Sequence, residues 1–171
     1  GGAYYVSAVS QAKFLARLYV YNLLHGIGPS CWWSLEPVRT GEYQWGLINP
    51  DGRRKEAWYA LRNVAAVLDN SCRPDNSLTF RADGNPEAFI GQVLRNDSGE
   101  YLIPYWVAVK MRDGNTGKAV DLLISGGGVQ EIEAIDTLTG TVHPVRFERE
   151  GETLRLKNMV LRDYPVILRL R

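Results

Sequence analysis

The chain is poor in the residues that would announce chemistry of their own. Two cysteines, Cys31 and Cys72, and two histidines, His25 and His143, are spread over 171 residues. Neither histidine has a cysteine, histidine or carboxylate at metal-ligand spacing, so no metal site is assigned. His25, near a helix end, is placed to interact with the last carbonyls. Cys31 and Cys72 have the option of bridging, but a cysteine in an apolar run is more often simply buried, and the redox compartment stays open. No charge of one sign dominates: 20 Lys and Arg stand against 19 Asp and Glu, without a basic run. That balance speaks against nucleic acid or an anionic membrane surface and favours a neutral partner. No apolar stretch reaches the roughly 18 residues of a membrane span. The opening Gly1-Gly-Ala-Tyr-Tyr5 lacks the charged and apolar regions of a secretion signal, so any such signal is expected upstream. Ser7, Ser10 and Ser34 lack the Gly-x-Ser-x-Gly setting of a nucleophile elbow. Gly126-Gly-Gly128 lacks the lysine and helix of a phosphate loop and reads as a hairpin turn. No cofactor is implied.

What is present changes character once, near residue 75, from helical to strand periodicity. From the N-cap candidate Ser7 to His25, Val9, Ala12, Leu15, Leu18, Tyr19 and Leu23 recur at helical spacing, and Gly26 supplies a stop. Ser10, Lys13 and Arg17 form a polar stripe. Phe14, Val20, Tyr21 and Leu24 widen the apolar surface, which predicts neighbours on more than one side. A second helix is predicted from Glu56 to about Asp69, with Trp58, Leu61, Ala65 and Leu68 on one face. Ser71 to Asn76 reads as a linker.

From Leu78 onward about eight short runs are separated by turn residues: 78–81, 88–95, 102–110, 119–125, 131–135, 142–148, 153–157 and 166–171. Strands at that spacing predict an antiparallel sandwich. Asp113-Gly-Asn-Thr-Gly117, Thr139-Gly140 and Glu150-Gly151 sit where hairpins would reverse. In the last run, Val166, Leu168 and Leu170 should face one way, with Ile167, Arg169 and Arg171 facing the other.

Between the helices lies Ser30-Cys-Trp-Trp-Ser-Leu-Glu36, which reads as a short apolar strand ending in a carboxylate. A polar, turn-rich passage from Pro37 to Lys55 follows it. Alternation sends Trp32 and Trp33 to opposite faces.

These residues in this order resemble a family. Gln11-Ala-Lys-Phe-Leu-Ala-Arg17, Cys31-Trp-Trp-Ser-Leu35, and Trp45-Gly-Leu-Ile-Asn-Pro-Asp-Gly52 with Lys55-Glu-Ala-Trp-Tyr-Ala-Leu61 look like the closing segment of clan A glycoside hydrolases: helix 7, strand 8, a loop and helix 8 of a TIM barrel. The remainder, with Asp136-Thr-Leu-Thr-Gly140 and Tyr164-Pro-Val-Ile-Leu-Arg-Leu170, resembles the β-sandwich that often follows such a barrel.

The resemblance implies an α+β fold. Residues 1–75 would be the end of a partial (β/α)8 barrel, two helices with one or two short strands, and 76–171 an antiparallel β-sandwich of about eight strands. A complete barrel needs roughly 250 residues, so only a piece is expected. The clan's acid and nucleophile follow barrel strands 4 and 7, which places both upstream of Gly1, and no catalytic residue is assigned to this chain. The strand-8 tryptophan of the clan floors the sugar subsite; that role falls to Trp32, with Trp33 as the near alternative. Glu36, at the carboxyl end of the same strand, is a candidate to hydrogen-bond a sugar hydroxyl. The implied substrate is a poly- or oligosaccharide, and the implied setting extracellular or periplasmic.

Each reading has a plainer rival. The tryptophan pair also suits core packing, and Glu36 a solvated loop. In the sandwich, Tyr101, Tyr105 and Trp106 suit either a sugar-binding surface or the core, the former making the chain a non-catalytic carbohydrate-binding or structural module. An unpaired barrel strand and broad helix faces predict that residues 1–75 pack onto the sandwich, self-associate, or complete a barrel with an upstream chain.

Overall fold

The computed structural model describes residues 6–36, 45–114 and 117–171. Helix α1 spans Ala8–Leu24, and the Ser7 hydroxyl caps it by accepting the Ser10 N–H at 3.0 Å. Helix α2 spans Glu56–Ala65, with Glu56 in its first turn, where a negative charge suits the helix dipole. Its buried stripe is Ala57, Ala60 and Val64, continued by Leu68 beyond the helix, whereas Trp58 and Leu61 lie half-buried on the flank and Ala65 is exposed. The expected face was therefore rotated. Alanines give a weak apolar signal but let α2 pack closely against Ala12 and Leu15 of α1.

Eleven strands follow among the described residues: β1 Arg73–Pro74, β2 Thr79–Ala82, β3 Phe89–Gly91, β4 Leu94–Arg95, β5 Tyr101–Val107, β6 Lys118–Ser125, β7 Ile132–Asp136, β8 Val142–Pro144, β9 Glu148–Glu150, β10 Thr153–Leu161 and β11 Val166–Leu170. They form two sheets, β1-β4-β5-β11-β7-β8 with β3 also on β5, and β2-β6-β10-β9. Every strand pairing is antiparallel. Two expected runs split, 88–95 into β3 and β4 and 142–148 into β8 and β9, and the presumed linker contributes β1. Thr139-Gly140 and Glu150-Gly151 turn hairpins as expected, β7–β8 and β9–β10. Gly126-Gly-Gly128 does not; it carries the chain from β6 in one sheet to β7 in the other. The 113–117 turn is likewise a crossover, from β5 to β6, and its residues 115–116 lie outside the described ones.

Strand alternation sorts side chains into two cores. Val166, Leu168 and Leu170 of β11 join Ile103, Tyr105, Leu122, Ile124, Leu154 and Leu156 between the sheets. Sealing each such side chain from water contributes roughly 1.5–3 kcal/mol. Ile167 points to the opposite face, with Leu94, Leu102, Trp106 and Ile135, and there meets Ala16, Val20 and Leu24 of α1 and Val64 and Leu68 near α2. The helices thus pack on the outer face of the larger sheet, giving helix, sheet and sheet as three layers.

The expected strand at Ser30–Leu35 is not formed: residues 30–36 are irregular, and the only pairing between the helices among the described residues is a bridge of Ile48 with Arg54. A strand exists only where neighbours take up its backbone groups. Here the Leu35 carbonyl receives the N–H groups of Leu47 and Ile48, at 2.9 and 3.1 Å, and no ladder extends to the residues before it. Cys31 and Cys72 are both free thiols, and Cys31 is exposed rather than buried.

Candidate functional site

The tryptophan segment lies across α1 and is tied down at several points. The Asn22 amide donates to the Ser30 hydroxyl at 2.7 Å. The Trp32 indole N–H donates to the Trp45 carbonyl at 2.8 Å, and Gln11 of α1 donates to the same carbonyl at 2.6 Å. Gln11 is buried, so its amide binds the Trp45–Gly46 backbone without competition from bulk water. Trp32 also packs on Phe14, with ring centroids 6.0 Å apart and tilted by 59°. Beneath it the Tyr19 phenol has its pKa raised, chiefly by burial, against the opposing pull of a hydrogen bond with the Trp32 backbone.

These ties separate the two tryptophans. Trp32 is half-buried, its N–H spent within the protein, whereas Trp33 is 78% exposed. Leu35, Trp45 and Phe14 are further exposed apolar side chains of the same segment, its tie at Trp45 and the helix beneath. Glu36 is exposed, and its backbone carbonyl accepts the Ser34 hydroxyl. An exposed indole face suits the C–H patch of a pyranose, and a carboxylate beside it can accept sugar hydroxyls. Glycoside cleavage needs two carboxyl groups about 5 Å or more apart on either side of the bond. This segment, as described, offers one.

The aromatic residues of the sandwich are placed differently. Tyr105 and Trp106 are each 1% exposed, one between the sheets and the other beneath the helices. Burial pushes the Tyr105 phenol far above its ordinary pKa. Among the described residues the Trp106 N–H has no hydrogen-bond partner. Tyr101 is half-buried, its hydroxyl 2.9 Å from that of Ser77 and its ring under the Arg95 guanidinium. Of the two readings open for these residues, core packing holds for Tyr105 and Trp106, while Tyr101 keeps only part of its ring at the surface. His25 caps α1, its backbone N–H donating to the Tyr21 carbonyl at 3.1 Å while its ring packs at a 45° tilt on Tyr21 with centroids 4.1 Å apart, and His143 is exposed on β8.

A second polar arrangement had no signal beyond the Ser10, Lys13 and Arg17 stripe. That stripe faces the segment after β5. Lys13, 1% exposed, reaches the Asp163 carboxylate at 2.9 and 3.1 Å and the Arg112 carbonyl. Asp163 accepts the Arg112 N–H at 2.9 Å, Arg17 donates to the Val109 carbonyl at 2.9 Å, and the Ser7 and Ser10 hydroxyls donate to the Asp113 carboxylate. Those hydroxyls hold the Asp113 carboxyl below its ordinary pKa.

No protein-family model matches the chain, and no curated protein matches it in sequence. Solved structures do. The catalytic domain of GH30 xylanase C from Talaromyces cellulolyticus superposes with a TM-score of 0.56 at 11% identity, over 98% of this chain and 36% of that one. A cycloisomaltooligosaccharide glucanotransferase from Paenibacillus sp., complexed with cycloisomaltoheptaose, superposes with a TM-score of 0.51 at 10% identity, over 72% of this chain and 24% of that one. The chain thus shares its fold with parts of two carbohydrate-active enzymes and spans well under half the length of either.

Proposed function

We propose that the chain is the C-terminal part of a glycoside hydrolase acting on poly- or oligosaccharides. On this reading residues 1–75 close a TIM barrel, 76–171 form its accessory sandwich, and the catalytic carboxylates belong to an upstream part. The observation that carries it is the superposition of nearly the whole chain, helices included, on about a third of a xylanase catalytic domain. A sandwich likeness alone would have left α1, the tryptophan segment and α2 unmatched.

Within the proposed subsite, Trp33 takes the platform role that the sequence favoured for Trp32, because Trp32 spends its N–H on Trp45 and packs its ring on Phe14. Glu36 is the accompanying acceptor. The exposed side chains Phe14, Tyr21 and Leu35 are where the rest of the barrel, or a second copy, would rest. An extracellular or periplasmic setting belongs to the same proposal.

The test is a fluorescence titration of the chain with neutral xylo- and isomalto-oligosaccharides. A saturable change that disappears in Trp33→Ala and persists in Glu36→Gln, weakened, supports the subsite. Hydrolysis of aryl glycosides by the pure chain would overturn the placement of both carboxylates elsewhere. The rival reading as a carbohydrate-binding module calls for an exposed aromatic surface on the sandwich, and burial of Tyr105 and Trp106 withdraws those two side chains from it.

A further inference from the structure

A groove that shares no residue with the tryptophan segment opens at the end of the sandwich where β5, β6 and β10 meet. Its volume is about 510 Å³. Val107 and Val109 supply an apolar wall, and Lys110, Arg112 and Lys118 line it together with Glu87. Asp163 also lines it, but its charge is met by Lys13. None of the ion pairs among the described residues involves Lys110, Arg112 or Lys118. Three exposed cations therefore face one uncompensated carboxylate across a single concave surface.

The groove is held in shape from below. Burying a lysine and an aspartate costs several kcal/mol per ion before their attraction is counted, and here that pair is used to hold the backbone of a surface segment. Lys13 and Asp163 grip the carbonyl and N–H of Arg112, Arg17 grips Val109, and Ser7 and Ser10 grip Asp113. The backbone between Val109 and Asp113 is fixed while the side chains of Lys110 and Arg112 are left to solvent. On the other wall Gly117 is irreplaceable: its φ is +47°, and a Cβ there would collide with the Val160 side chain and the Leu161 carbonyl. A preorganised backbone presenting unpaired cations beside an apolar wall is the arrangement that recognises a ligand with anionic groups on an apolar frame.

We propose that this groove binds an acidic saccharide unit, one bearing a carboxylate or a sulfate ester. Its anionic group lies among Lys110, Arg112 and Lys118 and its C–H face lies against Val107 and Val109. The saccharide part rests on the function proposed above; the anionic part rests on the groove alone.

The experiment is calorimetric titration of the whole chain with three oligosaccharides of equal length, one uronate-bearing, one sulfated and one neutral, and with inorganic sulfate. At least one acidic oligosaccharide should bind roughly tenfold or more tighter than the neutral one, with the advantage shrinking as salt rises. The double variant Lys110→Ala/Lys118→Ala, two exposed positions, should bring the acidic probe down to the affinity of the neutral one. Which anion is preferred identifies its source. Equal binding of neutral and acidic probes, an undiminished preference in the double variant, or inorganic sulfate binding as tightly as the sulfated saccharide overturns the inference. If neutral sugars still titrate Trp33 in that case, the groove proposal alone falls; if no saccharide binds at all, the proposed function falls with it.

Discussion

Between the two sheets the chain is held by hydrocarbon, and between α1 and the end of the sandwich it is held by polar groups. The inter-sheet layer of Leu122, Ile124, Leu154, Leu156 and Leu168 contains side chains with no polar atom, and any one of them can lose a methyl group while its neighbours close in part of the gap. The α1 seam of Lys13, Asp163, Arg17 and Asp113 is different: each group has named partners, and deleting Lys13 leaves Asp163 charged and dry, while the Arg17 and Asp113 contacts stand at the exposed edge of the seam. Packing tolerates graded damage, whereas a buried polar contact fails as a unit.

That contrast can be broken in order of size. Lys13→Met should cost about 4 kcal/mol because Asp163 is left buried without its cation, and Lys13→Met combined with Asp163→Leu should recover much of it. Urea denaturation measures both, and equal midpoints for wild type and the single variant would remove the seam's claim to importance. Leu168→Ala should cost about 3 kcal/mol through the cavity it leaves; hydrogen exchange should then quicken across both sheets together, not in the 108–113 segment alone.

Asn63→Leu should cost about 2 kcal/mol. Its amide donates to the Thr137 and Leu138 carbonyls at 3.1 and 3.3 Å, and a side chain without donors strands them. Gly140, at φ +73°, lies so close to Asn63 that a Cβ would come within 2.8 Å of its oxygen, so Gly140→Ala should damage the same joint from the other side. A melting temperature unmoved in both variants would separate α2 from the β7–β8 hairpin.

The smallest effect is one of pH. Asp113 has its folded pKa depressed, so its share of stability is present above the unfolded carboxylate value near 4 and is lost as pH falls through the lower folded value. Exchange at residues 108–113 should rise over that acidic window, and Asp113→Asn should abolish the pH dependence.

Much of this architecture was readable from residue order. α1 announced itself through Ser7 and its apolar spacing, and β11 through strict alternation, because both signals are local. The rotated face of α2 was not readable, since what selects Ala57 and Ala60 over Trp58 is the closeness of α1. Gly126-Gly-Gly128 looks the same whether the chain turns back or crosses between sheets; only the partner of the next strand decides. The tryptophan pair was located and Trp32 preferred, but which ring the protein itself engages was not legible, because the carbonyl that claims Trp32 belongs to Trp45, thirteen residues on. Lys13 was legible only as one member of a polar stripe, since a lone lysine on a helix gives no notice that its partner is 150 positions away.

The outermost strands carry a last consequence. The larger sheet ends in β1 and β8, each two or three residues long and each closing on a proline, Pro74 and Pro144, while β9 at one border of the smaller sheet is Glu-Arg-Glu. Short rims, rings without an amide hydrogen and alternating charge make poor templates for a further ribbon. Any clustering of this polypeptide in solution should therefore proceed through the greasy flank around Phe14, Tyr21 and Trp33 and be dissolved by mild detergent, rather than grow into fibres.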